Sequence, residues 1–260
     1  MRSYFAGAAA HTGYTVRLLF HALACAFRNP RTKMTLTIMY DYGLKSLPVV
    51  AIVAFFSGMI ISLQTGIQLV RFGQEEFIGI IVAQSFAREF GPFMTCIILV
   101  GTVVSAYAAE LGTMNVSEET AALEVMSIDP VGYLVTPRII ALTIMTFLLT
   151  ICADGIGILG GGIVAKTQLN VPFNRYFENA IESLQGRQWF GLPKDLYGGF
   201  VKGAITGCVI AAIGCAEGLT AHGGALGVGR SVRRAVIISI VMILILSFDL
   251  TWLFYRAFTR

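Results

Sequence analysis

The chain has 260 residues, of which 56% are hydrophobic and only 13% charged, with a formal net charge of +4 at pH 7. Soluble domains carry about one-quarter charged residues, and a single core cannot hide this much apolar surface, so the composition excludes an ordinary soluble protein and indicates one integral domain spanning 1–260. The positive charge is spread along the sequence without a basic patch interleaved with aromatics, which argues against a nucleic-acid partner.

The N-terminal region, 1–46, lacks the continuous apolar core and small-residue cleavage site of a signal peptide. From 14 to 28, Val16, Leu18, Leu19, Leu23 and Phe27 stand among Arg17, His21 and Arg28, a pattern for a helix lying along a membrane surface and ended by Asn29-Pro30. A spanning helix needs about 20 mainly apolar residues. Five segments qualify: 47–70, 90–109, 139–165, 196–221 and 235–255. Arg17, Arg28, Arg31, Lys33 and Lys45 before the first span, and Arg230, Arg233 and Arg234 before the last, place both flanks in the cytoplasm. Five crossings then put segment 110–138 there as well, although loop 166–195 weakens the bias with four basic residues of its own.

Segment 110–138 has a texture unlike a plain connecting loop. Ser117 reads as a helix N-cap with acids just behind it, followed by an apolar row of Ala121, Leu123, Val125, Met126 and Ile128 and a stop at Pro130. Such a helix offers an apolar face flanked by Glu118, Glu119 and Glu124 to a soluble partner. On the outer side, Pro172, Phe173, Tyr176, Phe177, Ala180, Ile181 and Leu184 suit a short amphipathic helix, with Trp189 and Phe190 as interfacial anchors. Gly157 and Gly161, and the row Gly199, Gly203, Gly207 and Ala211, read as sites of close helix packing.

Charges at membrane depth are costly unless paired or wet. Arg88 and Glu89, before the second apolar run, read either as a lipid-headgroup contact or as a structural or snorkelling pair. Lys202 stands seven residues after Asp195, which puts the two on nearly one helix face; it reads as neutralising an acid, as holding an anion, or as a snorkelling interface residue. Asp154 lies in the third span, where it pairs with another span or is protonated. The run from Gly160 to Lys166 and Thr167 nearly reproduces a phosphate-binding loop, but Ala165 replaces a required glycine and the run ends a span, so ATP binding by this chain is not expected. His11, His21 and His222 show neither HExxH spacing nor a cysteine cluster, so no metal site is expected. Cys25, Cys96, Cys152, Cys208 and Cys215 form no CxxC pair and read as small lipid-facing or packing residues. The glycines of 223–229, before Arg230, fit an anion-binding turn or a flexible loop.

Several of these runs occur together and in order: Arg88 to Pro92, Ala109 to Met114, Glu118-Glu119, Ala122-Leu123, Asp129-Pro130, Thr136-Pro137-Arg138 and Gly223 to Gly229. They resemble the MlaE/YrbE permease family, the membrane subunits of MCE-associated lipid ABC transporters, over most of the chain. Two departures stand out. Thr102 occupies the place of a family arginine, and Ser247 that of a family aspartate, with Asp249 two positions on and turned to another face.

The fold expected is all-α: an N-terminal interfacial helix, five transmembrane helices, a cytoplasmic coupling helix and a short periplasmic helix. The resemblance implies a multi-pass permease of the cytoplasmic membrane, a homodimer or one half of a heterodimer, moving phospholipid or a related lipid. Its implied partners are two ABC ATPase subunits, which hold the ATP and Mg, and an MCE-domain protein outside. The expected substrate contacts are Arg88, Glu89, Asp195 and Lys202; the ATPase contacts are Glu110, Glu118, Glu119, Leu123, Glu124 and Met126, with no catalytic group and no cofactor in this chain. A lipid-modifying intramembrane enzyme and a structural anchor are the alternatives.

Overall fold

The structure, a computed structural model, describes residues 2–28, 31–185, 188–189 and 192–258. Helix α1 (Arg2–Arg28) is followed by α2 (Thr32–Arg71), α3 (Glu75–Val116), the short α4 (Glu119–Val125), α5 (Val131–Gln168), α6 (Phe173–Gln185), α7 (Asp195–Leu219) and α8 (Gly224–Phe254). An antiparallel pair of two-residue strands, Gln188–Trp189 with Leu192–Pro193, lies between α6 and α7. Five helices, α2, α3, α5, α7 and α8, are long and apolar enough to cross a membrane. The all-α integral membrane architecture is therefore as the sequence predicts. The Asn29-Pro30 stop and the anchor at Phe190 lie outside the described residues, as does the side chain of Trp189.

The helices outrun the apolar segments. The second span extends over 42 residues from Glu75, so Arg88 and Glu89 lie well inside α3 and not at its head. Hydrocarbon offers backbone groups no partners, so a helix continues through the interface until a turn residue ends it. Several spans carry π-helical turns, at Met39–Leu44 in α2, Phe86–Phe90 and Val100–Val104 in α3, and Val131–Val135 in α5.

The chain divides into two compact units. One comprises Met1–Lys45, Leu99–Met145 and Ile205–Leu246; the other comprises Ser46–Ile98, Thr146–Ala204 and Ser247–Arg260. The core of the second unit joins Ile78, Val82, Ala83 and Phe86 of α3 to Ile158 of α5 and Tyr176 of α6. Helix α6 buries part of the predicted face: Tyr176 and Ala180 lie inside, Phe177 and Leu184 are half-buried, and Phe173 and Ile181 stand exposed. Arg175 bridges to Glu76 at 2.9 Å, and the Asn179 amide donates to the Glu76 carbonyl at 2.8 Å. The Tyr176 hydroxyl donates to the Ile158 carbonyl at 3.1 Å, and burial pushes this phenol's pKa up.

Small residues mark the closest approaches. A Cβ at Gly58 would run into the Gly157 carbonyl, one at Gly160 into the Phe55 carbonyl and one at Gly199 into the Ala87 carbonyl. Residues 160–167 are helical throughout, so the phosphate-loop resemblance has no loop behind it. In the first unit, Gly214 and Gly218 play the same part, with Val104 and Leu111 atoms only 2.8 Å from where a Cβ would stand. Gly223 and Gly224 take positive φ values of 89° and 68° and turn the chain into the start of α8. The remaining glycines up to Gly229 are helical, so a flexible loop is not what this run makes. Beside it opens a cavity of about 590 Å³ lined by Thr220, His222, Gly227, Arg230, Arg233 and Arg234.

These contacts predict that Gly58→Val lowers the thermal midpoint of the detergent-solubilised chain, with a cost of about 2 kcal/mol or more because backbone blocks the new side chain. Gly101→Ala, where an added Cβ meets nothing, should change stability by less than about 0.5 kcal/mol. Equal midpoints for the two variants would show that helix approach at Gly58 does not limit stability.

Candidate functional site

A polar cluster forms inside the second unit where α3 meets α7 and α8. Its origin is local. Pro92 has no N–H to offer the carbonyl of Arg88 four residues earlier, and the π turn Phe86–Phe90 precedes it. Lys202 of α7 supplies what is missing: its ammonium donates to the Arg88 carbonyl at 3.0 Å, to Glu89 Oε1 at 2.7 Å and to Thr251 Oγ1 of α8 at 2.9 Å. Thr251 is also 2.6 Å from both Glu89 Oε1 and the Ser247 carbonyl. The Lys202 side chain is only 8% exposed, so it is held inside and does not snorkel.

The pairings differ from the helix-face expectation. Asp195 does not bind Lys202; it accepts from the Arg88 guanidinium at 2.9 Å, and Lys202 takes Glu89. A seven-residue spacing puts two groups on one face of α7, but both reach across to α3 because the acid and base there stand on neighbouring positions with different directions. Arg88 is 48% exposed and has one ion-pair partner among the described residues. Thr251 was missed by the sequence reading. Its only sequence signal is its position four residues after Ser247, one helical turn along the same face. Asp249 is exposed and contributes nothing to the cluster.

Asp154 of α5 is buried against Gly91, and neither carboxylate oxygen has a hydrogen-bond partner among the described residues. The structure therefore does not give it the cross-span partner considered from sequence. An ionised carboxylate there carries a desolvation penalty with nothing to offset it.

The segment between α3 and α5 is built differently from the prediction. Ser117 is not an N-cap: it closes α3, its hydroxyl donating to the Thr113 carbonyl at 2.8 Å. Glu118 then turns the chain in the left-handed region at φ 62°, and α4 starts at Glu119 without a side-chain cap. A serine competes for its own i−4 carbonyl when it follows a helix directly, which is the situation here. The end of α4 comes from Ser127 at φ 59°, not from Pro130. Asp129 accepts the backbone N–H groups of Val131 at 3.1 Å and Gly132 at 2.9 Å, so Asp129-Pro130 caps and opens α5.

The short helix is tied back by side chains that sequence reasoning did not single out. Thr120 Oγ1 donates to Asn115 Oδ1 at 2.8 Å, and the Asn115 amide donates to the Ala221 carbonyl at 3.0 Å. Its outer surface carries Val125, 86% exposed, and Met126, 61% exposed, among the exposed Glu118, Glu119 and Glu124. Leu123 is half-buried. Burial and the Glu124 carboxylate push the pKa of Tyr14 in α1 up. Glu110 stands apart from this surface, bound at 3.0 Å to Arg138, which also donates to the Leu134 carbonyl at 2.8 Å.

The chain matches the family described as Permease MlaE over residues 35–253. It is 37% identical over 214 residues to a probable ABC transporter permease protein of Rickettsia prowazekii, covering 82% of this chain and 80% of that one. Against the chloroplastic protein Trigalactosyldiacylglycerol 1 of Arabidopsis thaliana it is 35% identical over 222 residues, 85% of this chain and 61% of the relative. Against the intermembrane phospholipid transport system permease protein MlaE of Haemophilus influenzae it is 29% identical over 219 residues, 84% and 82% of the two chains. The chain belongs to the permease MlaE family and is a multi-pass membrane protein.

The cluster geometry predicts the outcome of removing Lys202. Lys202→Met leaves the Arg88 carbonyl without its side-chain donor and Glu89 with Thr251 alone, and should destabilise the chain by about 1–3 kcal/mol, the usual cost of orphaned polar groups. The double variant Lys202→Met with Glu89→Gln should recover part of that loss in thermal melts. A double variant no more stable than the single one would show that Glu89 does not depend on Lys202.

Proposed function

We propose that this member of the permease MlaE family is the membrane-spanning subunit of an ATP-driven transporter that moves phospholipid or a related lipid between the cytoplasmic membrane and an MCE-domain partner outside. It works as a homodimer on two ATPase subunits, which hold the ATP and Mg. The observation that carries this reading is the division of labour in the polar cluster. Lys202 spends its three donors on protein acceptors, whereas Arg88 is half exposed and has a single carboxylate partner among the described residues. A guanidinium has five donors in a planar fork, so Arg88 keeps donors for a headgroup phosphate while Glu89, Asp195, Lys202 and Thr251 fix its place. The Haemophilus relative is named for intermembrane phospholipid transport, which supports a phospholipid as the substrate class.

The surface of α4 fits the coupling role. Val125 and Met126 supply a small apolar contact, and Glu118, Glu119 and Glu124 supply the charge that selects a basic groove on the ATPase. Movement of α4 is passed to α3 and to the end of α7 through Thr120, Asn115 and the Ala221 carbonyl. The last span, α8, exposes Ile237, Val241, Leu244, Phe248 and Trp252, which leaves a broad apolar face for lipid or for a second copy. The lipid-modifying enzyme is less well supported, because Lys202 and Glu89 are engaged with each other and present no free acid–base pair.

Two measurements test the reading. Arg88→Ala should reduce co-purifying phospholipid and lipid transport several-fold while the dimer persists, and equal loss of lipid and dimer would make Arg88 a structural residue instead. Val125→Arg and Met126→Arg should reduce ATPase co-purification at least tenfold with membrane insertion unchanged, since a charge in a small packed contact is hard to desolvate. Unaltered ATPase capture by both variants would remove α4 from the coupling.

A further inference from the structure

The fold brings together three metal-ligating side chains, two from α1 and one at least 104 residues further along the chain, that belong to neither the polar cluster nor the exposed face of α4. His21 and Cys25 are four residues apart on α1 and so share one helix face. Asp129 comes from the turn before α5. Its Oδ2 lies 3.7 Å from His21 Nε2 and 3.9 Å from Cys25 Sγ, and the three donor atoms all fall within 4.8 Å of one another. We propose that His21, Cys25 and Asp129 form a binding site for a borderline-soft divalent cation of the zinc type, which clamps the N-terminal helix to the start of α5.

Three features carry the assignment. The first is spacing: a tetrahedral ion with bonds of about 2.0–2.3 Å sets its ligands roughly 3.3–3.8 Å apart, so two of these edges close with movements of a few tenths of an ångström. The second is orientation. The Asp129 carboxylate already accepts the Val131 and Gly132 N–H groups, which fixes its direction as outer hydrogen bonds do in metal sites. Gly132 leaves room for the group, since a Cβ there would stand 2.9 Å from Asp129 Oδ2 and 3.5 Å from Cys25 Sγ. The third is donor chemistry. An imidazole, a thiol and a carboxylate together suit zinc and its neighbours, while the sulfur excludes magnesium and calcium as natural occupants. The His21 and Asp129 side chains are about half exposed, at 52% and 45%, so an ion can enter and water can fill the fourth position.

Binding deprotonates the Cys25 thiol and so releases one proton per ion when His21 is neutral. The site also has a mechanical consequence. The Thr136 hydroxyl donates to the Ala22 carbonyl at 3.3 Å, so α1 already touches the first turns of α5, and the ion would add a coordinate bond immediately after the α4 segment. Occupancy would thereby stiffen the connection through which α4 is joined to its span.

The test uses the purified full chain in detergent, with Co²⁺ as the spectroscopic probe and Zn²⁺ as competitor. One equivalent of Co²⁺ should give a sulfur-to-cobalt charge-transfer band and intense tetrahedral visible bands, and one equivalent of Zn²⁺ should bleach both. Cys25→Ser should lose the charge-transfer band, and His21→Ala and Asp129→Asn should weaken Co²⁺ binding at least tenfold. Asp129→Asn keeps a capping side chain, and His21 is exposed, so both variants are expected to fold. Zn²⁺ should also slow maleimide labelling of Cys25 in a chain whose other four cysteines are replaced by alanine. Absence of the band at one equivalent, its survival in Cys25→Ser, or unchanged affinity in His21→Ala would each overturn the proposal.

Discussion

Hydrocarbon supplies no hydrogen-bond partners, so every polar group inside the five spans must find one within the chain or bear the full cost of losing water. Pro92 shows what this constraint does to a fold. By withholding an N–H it frees the Arg88 carbonyl, and Lys202 of α7 is buried where it reaches that carbonyl. Once an ammonium is 8% exposed it needs an anion and further acceptors, and Glu89 and Thr251 provide them. A single backbone defect in α3 thus recruits side chains from α7 and α8, and the site proposed for the lipid headgroup grows around it.

The same constraint explains the small residues. Helices in lipid gain nothing from excluding water from one another, so their contacts depend on close van der Waals approach. Gly58 faces Gly157, Gly160 faces the Phe55 carbonyl and Gly199 faces the Ala87 carbonyl, each at a distance no larger residue permits. Gly199 lies one turn from Lys202 on α7 and beside Ala87, the residue before Arg88. Close packing there is what brings the ammonium within reach of α3.

Much of this was legible in the sequence, and the part that was not has a physical cause. Five apolar runs announce five spans because twenty consecutive apolar residues have few other uses. The amphipathic face of α6 was equally plain, since its period is local. Pairing was not legible: the spacing of Asp195 and Lys202 says that they share a face of α7, but which acid or base of α3 each one meets depends on the rotation of a second helix. Ser117 and Asp129 show the limit at helix ends. Both are good capping residues by type, yet Ser117 closes α3 and Asp129 opens α5, because the left-handed turns at Glu118 and Ser127 shift both boundaries. Neither is a glycine, so nothing in the sequence marks them as turn positions.

Asp129 then stands at a junction of two roles. As a cap it must face the first N–H groups of α5, and this leaves the rest of its oxygen surface turned toward α1, where His21 and Cys25 share a face. Scattered histidines and cysteines without a CxxC motif gave no reason to expect metal chemistry, because the ligand spacing is created by helix packing and not by sequence distance. A carboxylate whose geometry is already fixed by a helix start loses little further freedom on binding an ion. The same residue that sets where α5 begins can therefore hold α1 against it, and the segment that joins α4 to its span is anchored on both sides.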